Sequence, residues 1–316
     1  MLDRSRVLVT GGAGFIGCHL VEALVERHDA KIIVVDNERS GDWRRLQVDV
    51  EAIDRDIVAV SVEDWAELCQ GVSVVFHLAA EKYNSSRSTP QLVIDTNASA
   101  TYRLFEGASR SRVERVVFTS SVYAYGSVGP GPMVETSVPA PTTIYGLSKL
   151  AGEHLLRTAE HDHDLSWNVA RLFFIYGPRQ FAEGGYKSVI LSNFERIMRG
   201  EAPTIYGSGE QALDYVYIDD CVDALLRLAA SDSSGQIVNI STGSPITINE
   251  LTRIMLEVAG SDIGPRSCSP DWTEGTVRWG VPDRAAQLFG WSPTTDMVKG
   301  LELVWRWMET QSGRPT

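Results

Sequence analysis

The chain has 316 residues, of which 43% are apolar and 22% charged, and a formal net charge of −12. This length suffices for one large core, or for a main domain plus a smaller one, without disulfides or metals, and the acidic balance argues against nucleic-acid or anionic-membrane surfaces, which need clustered Lys and Arg. No stretch approaches the ~18 apolar residues of a membrane span, and the first strand, by residue 7, leaves no room for a signal peptide, so a cytoplasmic location is expected.

The apolar run 7–9 leads into Gly11, Gly14 and Gly17, which open a helix. A first glycine permits a tight turn, a second lets backbone N–H groups approach a pyrophosphate, and a third lets helix pack on strand. A second strand, 31–35, ends at Asp36, whose carboxylate can accept hydrogen bonds from ribose hydroxyls and repels a 2′-phosphate. NAD is therefore expected over NADP, although Arg39 lies close by.

Further strands are expected at 72–77, 115–119 and 167–173, with amphipathic segments between them. Such alternation implies a parallel sheet covered on both faces, a doubly wound α/β fold of the Rossmann kind. Residues 126–143, rich in Gly, Pro, Ser and Thr, read as a long surface loop that can wall a site. Beyond 173 the alternation weakens: a helix is expected at about 186–199, a strand and helix at 214–230, a strand at 236–241 and a helix at 248–259. Met297, Leu301, Val304 and Met308 lie at helical spacing, which reads as core packing. The expected division is 1–173 with 214–241 for the dinucleotide, and 174–213 with 242–316 for a smaller C-terminal α/β substrate domain.

Cys18, Cys69, Cys221 and Cys268 form no CxxC pair, and His161-Asp162-His163 ends a helix, so neither disulfide framework nor metal is expected. Tyr145 and Lys149, four apart, share a helix face. A cation ~5 Å from a phenol at an effective dielectric near 20 stabilises phenolate by ~3 kcal/mol, roughly two pKa units. Ser121, beyond the strand at 115–119, is placed to align a substrate hydroxyl for proton loss as hydride leaves the same carbon.

These patterns resemble the extended short-chain dehydrogenase/reductases, in the NAD-dependent epimerase/dehydratase branch typified by UDP-galactose 4-epimerase. The likeness spans nearly the whole chain: TGGAGFIG at 10–17, Asp36-Asn37, Asp56-Ile57, HLAA at 77–80, Asn97, TSS at 119–121 with Tyr125-Gly126, Glu135-Thr136, YGLSK at 145–149, YGP at 176–178, YIDD at 217–220 and LFGWSP at 288–293. It implies that Gly11, Gly14, Phe15 and Ile16 hold the pyrophosphate, Asp36 and Asn37 the adenosine ribose, and Asp56 and Ile57 the adenine. Ala79, Lys82 and Asn97 would line the path to the nicotinamide, Lys149 would hold its ribose, and Tyr145 and Ser121 would act on substrate. A homodimer pairing the helix after Asn97 with the one carrying Tyr145 is also implied.

The chain departs from that pattern in the substrate half. Val122-Tyr123 stands where 4,6-dehydratases carry Asp-Glu, which argues against dehydration. Phe174 replaces a substrate-contacting amide, while Leu213 and Thr273 replace two arginines that grip a diphosphate; Lys187, Arg278 or Arg179 would have to compensate. Substrate contacts are accordingly assigned to Ser121, Tyr123, Phe174, Lys187 and Arg278. The leading expectation is an NAD-dependent epimerase of a nucleotide-linked sugar, acting at C4 through a transient 4-keto intermediate. The alternatives are an oxidoreductase or epimerase of a non-nucleotide sugar, cyclitol or polyol, and a non-catalytic dinucleotide-binding protein on the same fold.

Overall fold

The computed structural model describes residues 2–126, 131–180, 188–271 and 273–311. The chain begins with β1 (Arg6–Thr10), α1 (Phe15–His28), β2 (Lys31–Asp36), β3 (Glu51–Asp54), α2 (Val62–Leu68) and β4 (Val74–His77). Two short helices, α3 (Ser85–Ser88) and α4 (Pro90–Ile94), pass through a π-helical turn at Asp95–Ala100 into α5 (Thr101–Arg110). Next come β5 (Arg115–Ser121), α6 (Ile144–His163), β6 (Trp167–Leu172), β7 (Phe174–Tyr176), α7 (Val189–Met198), β8 (Thr204–Tyr206), β9 (Ala212–Leu213), β10 (Tyr215–Tyr217) and α8 (Ile218–Ala230). The remainder is β11 (Gln236–Ile240), β12 (Ile246–Thr247), α9 (Ile248–Val258), β13 (Arg266–Cys268), β14 (Val277–Arg278), α10 (Asp283–Phe289) and α11 (Met297–Gln311).

Seven strands form one parallel sheet in the order β11-β6-β5-β4-β1-β2-β3. Its central strands are apolar on both faces because both are covered. Val7, Val9, Val34, Val74, Phe76 and Val117 pack into one core cluster, whereas Leu8, Ile33, Val75, Val116 and Phe118 pack into another. The period-2 alternation of a strand divides these residues between the faces, and burying each large aliphatic side chain contributes ~1.5–3 kcal/mol. Strand order reverses between β1 and β4, so the loops beyond their carboxyl ends diverge and leave a crevice.

The smaller sheets lie in the second half of the chain. β7 pairs with β10 and β8 with β13, all parallel, while β9 lies between antiparallel β12 and parallel β14. The strand expected at 167–173 is β6, which ends one residue earlier: the Phe173 amide still bonds the Ile240 carbonyl of β11, and the Phe174 amide turns to the Asp214 carbonyl, where β7 begins. Leu301, Val304 and Met308 of α11 are buried, as their spacing predicts.

Two expectations are corrected. The described part of 126–143 is not simply a surface loop: Met133 is buried, its amide bonds the Trp279 carbonyl, and its own carbonyl accepts from Val281. β3 has no counterpart among the expected strands, because an edge strand reading Glu-Ala-Ile-Asp carries no apolar run. Of the helix expected from 186, α7 begins at Val189, and positions 186 and 187 lie outside the described residues.

Candidate active site

A cleft of about 440 Å³ opens at the β1–β4 switch point. Gly11 has φ +72°, and a Cβ there would lie 2.7 Å from the Ala79 nitrogen; a Cβ on Gly17 would lie 2.2 Å from the Gly11 carbonyl oxygen. Only glycine therefore fits at either position. No side chain caps the first turn of α1, and Gly14, Phe15, Ile16 and Gly17 line the cleft at that end. Backbone donors and the positive end of the helix dipole thus face a place suited to a pyrophosphate.

Asp36 closes β2 with its carboxylate nearly buried, accepting from the Ala13 amide at 3.0 Å and the Glu38 amide at 2.9 Å. Burial is the dominant cause that pushes its carboxyl above the ordinary value, and those amides oppose it. Asn37 donates to Asp56 at 2.9 Å, and the other Asp56 oxygen caps the turn at Ile57–Ala59 through the Val58 amide. Ile57, Ala79 and Lys82 line the same cleft, so ten of the positions expected around a dinucleotide meet here: these three with Gly11, Gly14, Phe15, Ile16, Asp36, Asn37 and Asp56.

Asn97 differs from expectation. Its side chain is buried, accepts from the Glu81 amide at 2.7 Å, and donates to the Glu81 carbonyl at 3.1 Å and the Ser148 hydroxyl at 3.1 Å. It does not line the cleft; it fixes the segment carrying Glu81 and Lys82 against the helix that bears Tyr145. The π-helical turn places Asn97 in this contact, and local sequence offers no signal for it.

At the other end of the cleft stand Ser121, Tyr145 and Lys149. Thr143 caps α6 through the Gly146 amide, and the helical spacing puts Tyr145 and Lys149 on one face, against the end of β5. Lys149 is buried, and its Nζ donates to the Thr119 carbonyl at 2.9 Å, 6.0 Å from the Tyr145 ring centre. Burial drives the ammonium down to about 7, opposed by the Glu153 carboxylate. Burial also raises the Tyr145 phenol, against a lowering by the Ser121 hydroxyl. The acidification of Tyr145 by Lys149 expected from their spacing does not appear in the protein itself: desolvation sets the direction, and the opposing influence comes from Ser121. The buried thiols of Cys18 and Cys69 are pushed up to about 11 and about 12, which leaves them poor nucleophiles.

Tyr123, Phe174 and Arg278, expected at the substrate, are not among the residues that line this cleft; they gather beside Tyr145. The Tyr123 ring lies 5.9 Å from Tyr145 and 6.3 Å from Phe174, and the Tyr83 ring packs against Tyr123 at 4.5 Å, tilted by 31°. The Arg278 guanidinium sits 5.3 Å from the Tyr123 ring centre and donates to the Gly126 carbonyl at 3.3 Å. Lys187 lies outside the described residues. Arg179 is not free to compensate for a lost arginine: Glu22 takes it in a two-pronged ion pair at 2.6 Å, beside His19. Thr273 is tied to Asp271 by its amide and hydroxyl.

A family model described as the NAD dependent epimerase/dehydratase family matches residues 7–241. A protein of Methanocaldococcus jannaschii named as a putative UDP-glucose 4-epimerase is 30% identical over 312 residues, 97% of this chain and 99% of that one. The solved UDP-N-acetylglucosamine 4-epimerase of Methanobrevibacter ruminantium, in complex with UDP-N-acetylmuramic acid, superposes with a TM-score of 0.92 at 29% identity, covering 98% of this chain and 100% of that chain. The UDP-glucose 4-epimerase of Thermotoga maritima, with UDP-glucose, gives 0.91 at 32% identity, covering 97% and 99%.

Proposed function

Because the chain belongs to the NAD dependent epimerase/dehydratase family, we propose that it is an NAD-dependent isomerase that inverts C4 of a nucleotide-linked sugar. The observation that carries this reading is the meeting of Ser121, Tyr145 and Lys149 at the end of the glycine-lined cleft, with Val122 and Tyr123 following Ser121 in place of carboxylates. NAD, when bound, supplies the acceptor and donor of the hydride. Gly11, Gly14, Phe15 and Ile16, which line the cleft, would hold its pyrophosphate, Asp36 and Asn37 its adenosine ribose, and Asp56 and Ile57 its adenine. Ala79 and Lys82 would flank the way to the nicotinamide end, where Lys149 would hold the ribose.

Tyr145 takes the proton of the C4 hydroxyl and later returns it, while Ser121 orients that hydroxyl. Burial raises the phenol and the Ser121 hydroxyl lowers it; a cationic cofactor ring bound beside it would add to the lowering. Tyr123 and Phe174 offer the sugar flat apolar faces, and Arg278 an adjacent cation. The stretches 174–213 and 242–316 would form the part that holds the sugar, and 1–173 with 214–241 the part that holds the cofactor. No helix among the described residues is long and apolar enough to cross a membrane, in keeping with a proposed cytoplasmic site of action.

The test is incubation of the purified chain with a panel of UDP-linked sugars, with products resolved at C4. A C4 epimer should form without net consumption of NAD, and Tyr145→Phe should lower kcat by about 10²–10⁴. Failure to convert any nucleotide sugar overturns the substrate assignment. A second reading, in which the substrate carries no nucleotide, is favoured by Leu213 and by Thr273 with its hydroxyl committed to Asp271. Net NADH formation from a free polyol, unaffected by added UDP, would establish it instead.

A further inference from the structure

Asp36 and Arg39 pull the cofactor preference in opposite directions, because an acid at the end of this strand suits a free ribose hydroxyl and a nearby arginine suits a 2′-phosphate. The structure shows what restrains Arg39. One guanidinium nitrogen lies 2.6 Å from the Glu81 carboxylate and the other 3.1 Å from the Asp56 carboxylate. Glu81 comes from the loop beyond β4 and Arg39 from the loop beyond β2, so the pair ties together two loops that both line the cleft. Glu81 is itself held: Ser85 donates to its second oxygen at 2.9 Å, and Asn97 pins its backbone amide and carbonyl. Its side chain is 13% exposed, against 43% for Arg39, so the carboxylate is the fixed member and the guanidinium the long, mobile one that it captures.

We propose that Glu81 determines the preference for NAD over NADP by holding Arg39 away from the place a 2′-phosphate would occupy, with Asp56 as the second holder. A 2′-phosphate entering beside Asp36 would meet three carboxylates, those of Asp36, Asp56 and Glu81, and a guanidinium already shared by two of them. Removing Glu81 takes away one negative charge and frees one face of Arg39 for two-pronged phosphate binding. The pair is a specificity device built from positions 42 residues apart.

The inference rests on the dinucleotide reading of the cleft, and one experiment separates the two. The full chain is equilibrated with an equimolar mixture of NAD and NADP, freed of unbound nucleotide and denatured, and the released nucleotides are quantified. In Glu81→Leu the bound NADP-to-NAD ratio should rise at least tenfold, and in Glu81→Leu/Arg39→Ala it should fall back to that of the unaltered chain. Glu81→Gln, which keeps the side-chain size, is read by the same ratio. An unchanged ratio in the single variants, or a rise that survives loss of Arg39, overturns the proposal. Release of neither nucleotide from the unaltered chain would instead strike at the dinucleotide reading.

Discussion

His77 illustrates how a single residue can carry a pH dependence that its sequence context hides. It ends β4, is 1% exposed, and places its two ring nitrogens 2.7 Å from the Thr10 hydroxyl and 2.8 Å from that of Thr101. Burial, with a further push from Lys149, drives it down to about 3. The ordinary histidine value is ~6.5, so between those limits the unfolded chain binds one more proton than the folded one. Stability is complete above about 6.5 and declines as pH falls toward 3. From this residue alone about 3 kcal/mol, at most, should be lost between pH 6.5 and pH 4. Urea unfolding across that range should show a shallower acid limb for His77→Gln than for the unaltered protein, even though the variant starts about 1–3 kcal/mol less stable at pH 7 for want of hydroxyl partners. Parallel limbs would mean that carboxylates alone govern acid unfolding.

Residues whose role depends on backbone geometry are legible in the sequence. Gly11 and Gly17 are required by a close approach of neighbouring backbone, and Asp36 by its place at the end of β2. Glu81 is not legible there, because its meaning lies in Arg39, on another loop. Nor is the balance at Tyr145: residue spacing suggests Lys149 as its neighbour, whereas the desolvation and the Ser121 hydroxyl that act on the phenol depend on the folded surroundings.

Among the elements, the π-helical turn at Asp95–Ala100 shows how a local irregularity serves the site. It lets the segment after α4 present Asn97 to the Glu81 backbone and to Ser148, whose hydroxyl donates in turn to the Tyr145 carbonyl. One side chain thus joins the cofactor side of the cleft to the proton-transfer side. Asn97→Ala should leave the Glu81 amide and carbonyl without their partner, at about 1–3 kcal/mol. Hydrogen exchange at the Glu81 amide should accelerate at least tenfold in this variant while β4 and β5 stay protected. Equal acceleration in the strands would indicate a general loss of stability instead of a loosened loop. The central strands are readable from apolar runs since both faces of the sheet are covered, but β3 is not, because an exposed edge imposes no such run. Two motifs that stand apart in the sequence prove to be one joint: Asp220 on α8 accepts from the Thr294 and Thr295 amides, and its carbonyl accepts from the Trp291 ring nitrogen.

For the molecule as a whole, the surface left open by α5 and α6 bears on assembly. A groove there is lined by Val62, Ala98, Ser99, Tyr102, Ala151 and Leu155, among others, and Tyr102 and Leu147 remain 50% and 48% exposed although they are large and apolar. Small residues such as Ala98, Ser99 and Ala151 allow close approach of another helix, and exposed apolar side chains beside them gain from being covered. A twofold pairing would place α5 and α6 of one copy against the same helices of its partner, so every contact would occur twice. The helix that would form the interface also carries Tyr145 and Lys149, so assembly would brace the catalytic face from behind. Sedimentation of the unaltered chain at micromolar concentration should show a dimer, and Tyr102→Glu with Leu147→Glu should raise the dissociation constant by at least 100-fold. Half of the added repulsion arises from each copy, since a symmetric interface repeats every substitution. A monomer in the unaltered chain, or a dimer indifferent to both charges, would remove this face from consideration.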